Sequence, residues 1–185
     1  MDTERDAGLE RVRRAWRSRD VATLLAEAQQ PQPAVVRDMA IHYVGKLRSH
    51  DAVHDLCALL RDESRDVRVF AAKALGQIGN EKAAGSLADA VQRDPERLVR
   101  LWAVDSLAKL GSASDANAAI RFLQDAQTWQ ERWAAVRALV SAADPVGVKP
   151  VSEVASRERN PIRKARLYKK LFALRRSVRG ESRDR

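Results

Sequence analysis

Apolar residues recur along the chain at helical spacing, in segments that repeat about every 30 residues. One segment, DVRVFAAKALGQIG at residues 66–79, has a charged start, an alanine-rich apolar middle and a terminal glycine. A regular period of this length is typical of stacked repeats, and the spacing within each segment predicts an α-helix rather than a strand. Five such segments align on one arginine, at steps of 31, 32, 32 and 31 residues: Arg37, Arg68, Arg100, Arg132 and Arg163.

A second helix is predicted after each of these first helices, behind a short break. The segment DAVHDLCALLRD at residues 51–62 is the clearest example. Gly79 and Gly111 stand at two breaks, where a left-handed glycine commonly ends a helix. Neither helix of a pair can bury its apolar face alone, so the pairs must stack on one another. The sequence therefore predicts an all-α fold, a right-handed α-solenoid of about five helical hairpins.

The same pattern predicts one repeat domain over residues 1–185. An N-terminal helix pair at 5–29 is expected to cap the stack, and four repeats are expected over 31–157. A basic C-terminal helix is predicted at 160–177, followed by a frayed tail at 180–185.

The composition indicates the cellular compartment in which the protein is expected. The single cysteine, Cys57, excludes an intramolecular disulfide and suits a reducing compartment. The N-terminal residues mix acids and arginines without the apolar run of a signal peptide. No stretch approaches the roughly 20 apolar residues that a membrane helix needs. We therefore expect a cytoplasmic protein without membrane insertion.

The formal net charge of +9 comes from the C-terminal part of the chain. Residues 157–185 carry twelve Lys and Arg against three Asp and Glu, whereas residues 1–156 carry 22 of each. Such an asymmetry indicates a terminal segment with its own electrostatic role, or a solubilising end.

The motif D-x(4)-V-R-x-x-A-A-x-A-L-G-x-I-G, which begins at Asp62, resembles the HEAT-like repeat of phycobilin lyases and many bacterial scaffold proteins. The resemblance extends over about residues 31–176. It implies that an aspartate six residues before the arginine joins a ladder of hydrogen bonds between successive turns, as Asp62 with Arg68 and Asp94 with Arg100. We expect these arginines to be structural. The ladder is expected to be incomplete where other residues replace the aspartate: Pro31, Ala126 and Arg157.

A candidate partner-binding patch follows from the position after the repeat arginine, which is expected to face solvent. Leu101 and Trp133 occupy it, and Trp129 lies one helical turn before Trp133 on the same face. Together with Arg137, these residues predict an apolar patch on the outer row of helices, of the kind found at interface hot spots. The alternative is that the tryptophans fill gaps against the neighbouring repeat.

The basic C-terminal helix has two interpretations. It can cap the stack with its apolar side, and its cations can bind acidic protein, nucleic acid or another polyanion, or an anionic membrane surface; the two interpretations are compatible. The predicted apolar side consists of Ile162, Leu167, Tyr168, Leu171, Leu174 and Val178. The candidate polyanion-binding residues are Arg163, Lys164, Arg166, Lys169, Lys170, Arg175 and Arg176.

Catalytic and metal-binding patterns are weak. His50, His54 and Cys57 have the spacing i, i+4, i+7, but a fourth zinc ligand is not evident. The sequence has no Gly-x-Ser-x-Gly motif, no phosphate loop and no nucleophile–base arrangement. We therefore expect no metal, no cofactor and no catalytic residues.

These observations favour a non-catalytic scaffold or adaptor that binds another protein through the solenoid surface. The alternative is binding of nucleic acid or another polyanion through the C-terminal helix. A third interpretation, implied only by the family resemblance, is an accessory subunit of a bilin-lyase-like enzyme.

Overall fold

The computed structural model describes residues 2–111 and 116–180, which fold into eleven α-helices without a strand. Short 3₁₀ turns at His50–Ala52, Glu81–Ala83 and Pro145–Gly147 precede three of these helices. The helices are α1 (Asp2–Ser18), α2 (Val21–Gln29), α3 (Ala34–Leu47), α4 (Val53–Leu59), α5 (Arg65–Ile78), α6 (Ala84–Arg93), α7 (Arg97–Leu110), α8 (Ala116–Gln124), α9 (Trp129–Ala142), α10 (Val148–Arg157) and α11 (Pro161–Val178).

The helices stack in two layers. Helices α1, α3, α5, α7, α9 and α11 pack side by side as the first-helix layer, and the even-numbered helices pack behind them as the second-helix layer. The all-α solenoid predicted from the sequence is confirmed. After the N-terminal pair α1–α2 come four complete hairpins, and the fifth unit contributes α11 alone within the described residues.

One hydrophobic core runs through the stack. The residue three positions after the repeat arginine is a fully buried alanine in four units, and a branched aliphatic residue follows one turn later. Small side chains let neighbouring first helices approach closely. The alanines are Ala40, Ala71, Ala103 and Ala135, and the aliphatic residues are Val44, Leu75, Leu107 and Leu139.

Helix ends follow the predicted signals. Gly79 and Gly111 end α5 and α7 with φ of +74° and +70°, a conformation that favours glycine. Asn160 caps α11, because its side-chain oxygen accepts a hydrogen bond of 3.1 Å from the Arg163 amide. Pro161 occupies the first turn, where its missing N–H costs nothing.

A ring contact joins the N-terminal pair to the stack, and an ion pair joins its two helices. Trp16 of α1 stacks on Tyr43 of α3, with ring centroids 4.6 Å apart and an interplanar angle of 15°. Within the pair, Arg11 Nε donates to Glu27 Oε1 at 2.6 Å, and the Glu27 side chain is only 8% exposed. The N-terminal pair therefore covers the start of the core, and its nearly buried carboxylate, Glu27, is paired with Arg11.

The alignment of the fifth unit on Arg163 is wrong by one residue. In four units the ladder arginine is the fourth residue of its helix, and in α11 the fourth residue is Lys164. Lys164 Nζ donates to the backbone carbonyl of Ser156 near the end of α10, at 3.4 Å. With Lys164 as reference, Leu167 and Leu171 fall in the alanine and aliphatic columns and are buried. The last step is therefore 32 residues rather than 31.

This shift also corrects the predicted apolar side of α11. Leu167, Leu171 and Leu174 are buried, as predicted, but Ile162 and Tyr168 are 67% and 45% exposed. The prediction was wrong for these two residues because α11 is rotated by one position relative to the sequence alignment. From residue 181 onward, the predicted frayed tail lies outside the described residues. Among the helices that the structure describes, none has the length and apolar character to cross a membrane.

Candidate functional site

Four large side chains line a groove on the first-helix layer. Leu101 and Trp102 come from α7, and Trp129 and Trp133 come from α9. The two α9 indoles stack, with ring centroids 5.6 Å apart and an interplanar angle of 24°. The groove has a volume of about 340 Å³ and also touches Asp105, Gln130, Ala134 and Arg137. We call it the aromatic groove.

The structure thus brings together the four residues predicted as a partner-binding patch, but it does not leave them fully exposed. The expectation that the position after the repeat arginine faces solvent is wrong: Val69 there is 4% exposed, and Leu101 and Trp133 are half-buried. The reason is that adjacent first helices pack side by side and cover this position. What remains accessible is one open side of the groove.

Cations stand over the aromatic rings at both sides of the groove. Arg163 of α11 lies 5.1 Å from the Trp129 ring centre, and Lys170 lies 5.9 Å from that of Trp133. On the other side, Lys73 of α5 lies 4.1 Å from the centre of the Trp102 ring. Burial lowers the pKa of Lys73. These cation–π contacts fix the rings and place positive charge around an apolar floor.

The predicted contact residue Arg137 already has a partner. Its Nη1 donates to Asp105 Oδ1 at 2.6 Å, which joins α9 to α7 beside the groove. Lys109 also approaches Asp105, at 3.1 Å. Two cations share this one carboxylate, so the surroundings of the groove retain positive charge.

The arginine ladder runs between units. Arg68 Nε donates to Asp94 Oδ2 of the next unit at 2.8 Å, and Arg37 pairs in the same way with Asp62. Towards the aspartate of its own unit, Arg68 donates only to the backbone carbonyl of Asp62, at 2.9 Å. The predicted ladder exists, therefore, but each carboxylate pairs with the preceding arginine. Arg100 and Arg132 donate to loop carbonyls in the same manner.

The step predicted as a gap at Ala126 is bridged by a different pair. Glu131 of α9 is 4% exposed and pairs with Arg97 of α7. Glu131 Oε2 also accepts hydrogen bonds of 2.9 Å from the amides of Gln127 and Thr128. The hydrogen bond from Arg97, together with those from the loop, lowers the pKa of Glu131 to about 2. The signal in the sequence was an acid in a column that holds valine in the three preceding units.

The predicted polyanion-binding residues divide into two groups. Arg163 and Lys170 contact the tryptophans, and Lys164 contacts the end of α10. The other four are exposed, and no carboxylate of the described residues forms an ion pair with them. These four are Arg166, Lys169, Arg175 and Arg176.

His50, His54 and Cys57 do not share one helix. His50 lies in the 3₁₀ turn before α4, and its Nδ1 is 3.1 Å from Asn80 Nδ2. Burial raises the pKa of the half-buried Cys57 thiol. Residues 2–111 and 116–180 contain no group of three histidine, cysteine or carboxylate side chains that could hold a metal ion.

The fold defines the class of protein: an α-solenoid of stacked helical hairpins. Residues 21–108, which span α2 to most of α7, match the family model of HEAT repeats. This part of the chain is therefore similar to HEAT repeats. No curated protein sequence matches the chain.

Solved structures share this fold. A structure of the complex of CpcE and CpcF of phycocyanin lyase from Nostoc sp. PCC7120 is similar with a TM-score of 0.73 and 25% identity, over 87% of this chain and 67% of that chain. A designed armadillo repeat protein in complex with the peptide (KR)4 has a TM-score of 0.64 and 18% identity, over 91% and 86%. The archaeal HEAT-like repeats protein from Thermococcus onnurineus NA1 has a TM-score of 0.51 and 15% identity, over 92% and 93%.

Proposed function

We propose that this protein is a non-catalytic scaffold that binds another protein through the aromatic groove. The observation that carries the proposal is the pair of stacked indoles, Trp129 and Trp133, which form an accessible apolar floor between α7 and α9. Tryptophan and arginine are the residues most enriched at the energetic centres of interfaces. Because the rings are already fixed by neighbouring cations, docking on them costs little ordering.

The charges around the groove indicate the chemistry of the bound segment. Arg163, Lys170 and Lys73 stand over the rings, and Asp105 is shared by two further cations. An apolar or aromatic side chain flanked by carboxylates complements this arrangement. Complementary charge accelerates the encounter and excludes basic partners.

The similarity to the phycocyanin lyase structure supports a protein partner, since that structure is a complex of two proteins, CpcE and CpcF. The similarity rests on the repeat scaffold. A role as the accessory subunit of a bilin-lyase-like enzyme is a narrower form of the same proposal, and it predicts that the purified complex binds a bilin chromophore and is coloured.

The test is site-specific photo-crosslinking in cells that express the protein. A benzophenone amino acid at Gln130, which lines the groove, should capture one protein partner. The same probe at the exposed Lys82 of the second hairpin is the matched control. Capture should disappear when Trp133→Ala is added. Equal capture from both positions, or capture that persists in the Trp133→Ala background, would contradict the proposal.

A second candidate function is polyanion binding through α11, which is favoured by its four exposed cations without an ion pair among the described residues. Binding of a 20-base-pair DNA duplex should weaken steeply with salt, because phosphate contacts release counterions. Replacing Arg175 and Arg176 by glutamine should reduce the slope of log K against log salt by roughly 2. A duplex that binds with an unchanged slope, or not at all at low salt, would remove this candidate.

A further inference from the structure

In α3 and α5, the side of the helix that faces the next unit includes positions four and eight residues after the ladder residue. At the first position, the Ala72 carbonyl accepts a hydrogen bond of 2.7 Å from Ser106 Oγ of the following helix. At the second, a Cβ atom on Gly45 would lie 2.9 Å from Ala74 Cα of the following helix. A Cβ atom on Gly76 would likewise lie 2.9 Å from Ser106 Cα. At these two positions, therefore, the first helix of one unit contacts the first helix of the next unit.

In α11 the same two positions hold aromatic side chains. Counted from Lys164, they are Tyr168 and Phe172, which are 45% and 70% exposed. No helix of the described residues packs against this side of α11, whose contacts are with α9, α10 and the turn Pro145–Gly147. Phe172 is more exposed than any other large apolar side chain of the described residues. A polar side chain would be expected at these positions if α11 simply closed the stack against water.

The surroundings of the two rings are strongly basic. On a helical projection, Lys169 and Arg176 lie beside Phe172 on one flank, and Arg175 lies on the other. All three are exposed and form no ion pair within the described residues. We call Tyr168, Phe172, Lys169, Arg175 and Arg176 the C-terminal face.

We propose that the C-terminal face docks an acidic α-helix of a partner protein, which lies where the first helix of a next unit would lie. The incoming helix would present a seam of small residues to the two rings. At the interface of α5 with α7, the incoming helix likewise presents a small residue, a serine, to a glycine. The cations pair with carboxylates that flank the seam. This surface shares no residue with the aromatic groove. Its test can therefore fail while the proposed scaffold function holds, and the reverse.

Two other occupants fit less well. A phosphate backbone would use the cations, but it would leave the Phe172 ring in water and gain nothing from it. Two copies of the C-terminal face would bring like charges together, which opposes a symmetric dimer. Of these three occupants, only a helix with flanking carboxylates both covers the rings and pairs with the cations.

The experiment measures fluorescence anisotropy of labelled probes with the full chain. The probe is an 18-residue helical peptide with an alanine and leucine seam flanked by glutamates, and its matched control has lysines in place of the glutamates. The double variant Tyr168→Ser with Phe172→Ser is compared with Val35→Ser on α3, where an apolar side chain is 44% exposed, as Tyr168 is at 45%. Circular dichroism should show that all variants are folded, because the replaced side chains are exposed.

We expect the acidic peptide to bind, the double variant to bind it at least tenfold more weakly, and Val35→Ser to bind it like the wild type. The lysine-flanked peptide should not bind. Equal binding to the double variant, or no binding of the acidic peptide, would overturn the proposal. So would DNA-duplex binding in place of peptide binding, or a wild-type dimer in sedimentation velocity that the double variant abolishes.

Discussion

Glu131 and Asp38 are carboxylates of the same helix layer, in different environments. Glu131 is buried and accepts hydrogen bonds from Arg97 and from two loop amides. Asp38 Oδ1 is buried and accepts no hydrogen bond from a described residue. The first carboxylate is stabilised in its charged form, whereas the second is not.

Because of Glu131, the free energy of unfolding should decrease as the pH becomes acidic. Its pKa is lowered to about 2 in the fold, against roughly 4.3 in an unfolded chain. The stabilisation is therefore complete above the unfolded pKa and is lost as pH falls from about 5 to 2. Chemical denaturation should show Glu131→Gln to be less stable than the wild type at pH 7 by about 2–3 kcal/mol. More than half of that difference should vanish at pH 3; a difference that does not change with pH would contradict the assignment.

Asp38 should behave in the opposite way. Burial, and then the charge of Asp66, raise the pKa of Asp38. An acid whose pKa is raised by folding destabilises the native state once pH rises above its unfolded pKa. We expect Asp38→Asn to increase the Tm at pH 7 and to have no effect at pH 3. Glu153→Gln, at an exposed position of α10, is the control and should change neither value.

At the scale of helices, the close approach of α7 to α5 depends on Gly76, eight residues after the ladder arginine. Ala at Gly76 would place its Cβ 2.7 Å from Ser106 Cβ and 2.9 Å from Ser106 Cα, so α7 would have to move. Gly76→Ala should destabilise the protein by about 1–3 kcal/mol, despite the better helix propensity of alanine.

Gly85 of α6 is the matched control, because a Cβ atom there meets nothing within 4 Å. Gly85→Ala should be neutral or stabilise the fold by up to about 1 kcal/mol. The measurement is urea denaturation of both variants beside the wild type. Equal effects of the two substitutions would show that propensity, rather than the contact with Ser106, decides the outcome.

The same interfaces show what could be predicted from the sequence. The buried columns, the helix ends at Gly79 and Gly111, and the stacking of Trp129 with Trp133 all follow from local spacing. The register of α11 did not, because Arg163 and Lys164 are adjacent cations and only the packing of Leu167 distinguishes them. The Arg97–Glu131 pair was missed because the repeat predicts an aspartate six residues before the ladder arginine, whereas Glu131 comes directly before that arginine.

The candidate site shows the same limit. That the four patch residues lie together was predictable from the helical period and the repeat. That Arg163 and Lys170 stand over the indoles was not, because it depends on how α11 lies against α9. The half-burial of Leu101 and Trp133 likewise depends on the distance between neighbouring helices.

For the whole molecule, the main packing contacts of residues 2–111 and 116–180 run within a unit or between neighbouring units, so stability should vary along the stack. Helix α5 has a neighbour on each side, and nine of its fourteen residues are buried. Helix α11 has a neighbour on one side, and three of its eighteen residues are buried. Local opening should therefore be easiest at α11 and hardest in the middle of the stack.

Hydrogen exchange followed by mass spectrometry tests this gradient, with two adjacent residues as a matched pair. Leu171 is 3% exposed and Phe172 is 70% exposed on the same turn of α11. Leu171→Ala removes core packing that is worth about 2–5 kcal/mol, and it should accelerate exchange in α11 more than tenfold while α5 is unchanged. Phe172→Ala should leave both helices unchanged. If Leu171→Ala accelerated exchange equally in α3, α5 and α11, the units would unfold together, and stability could not be assigned to neighbouring interfaces.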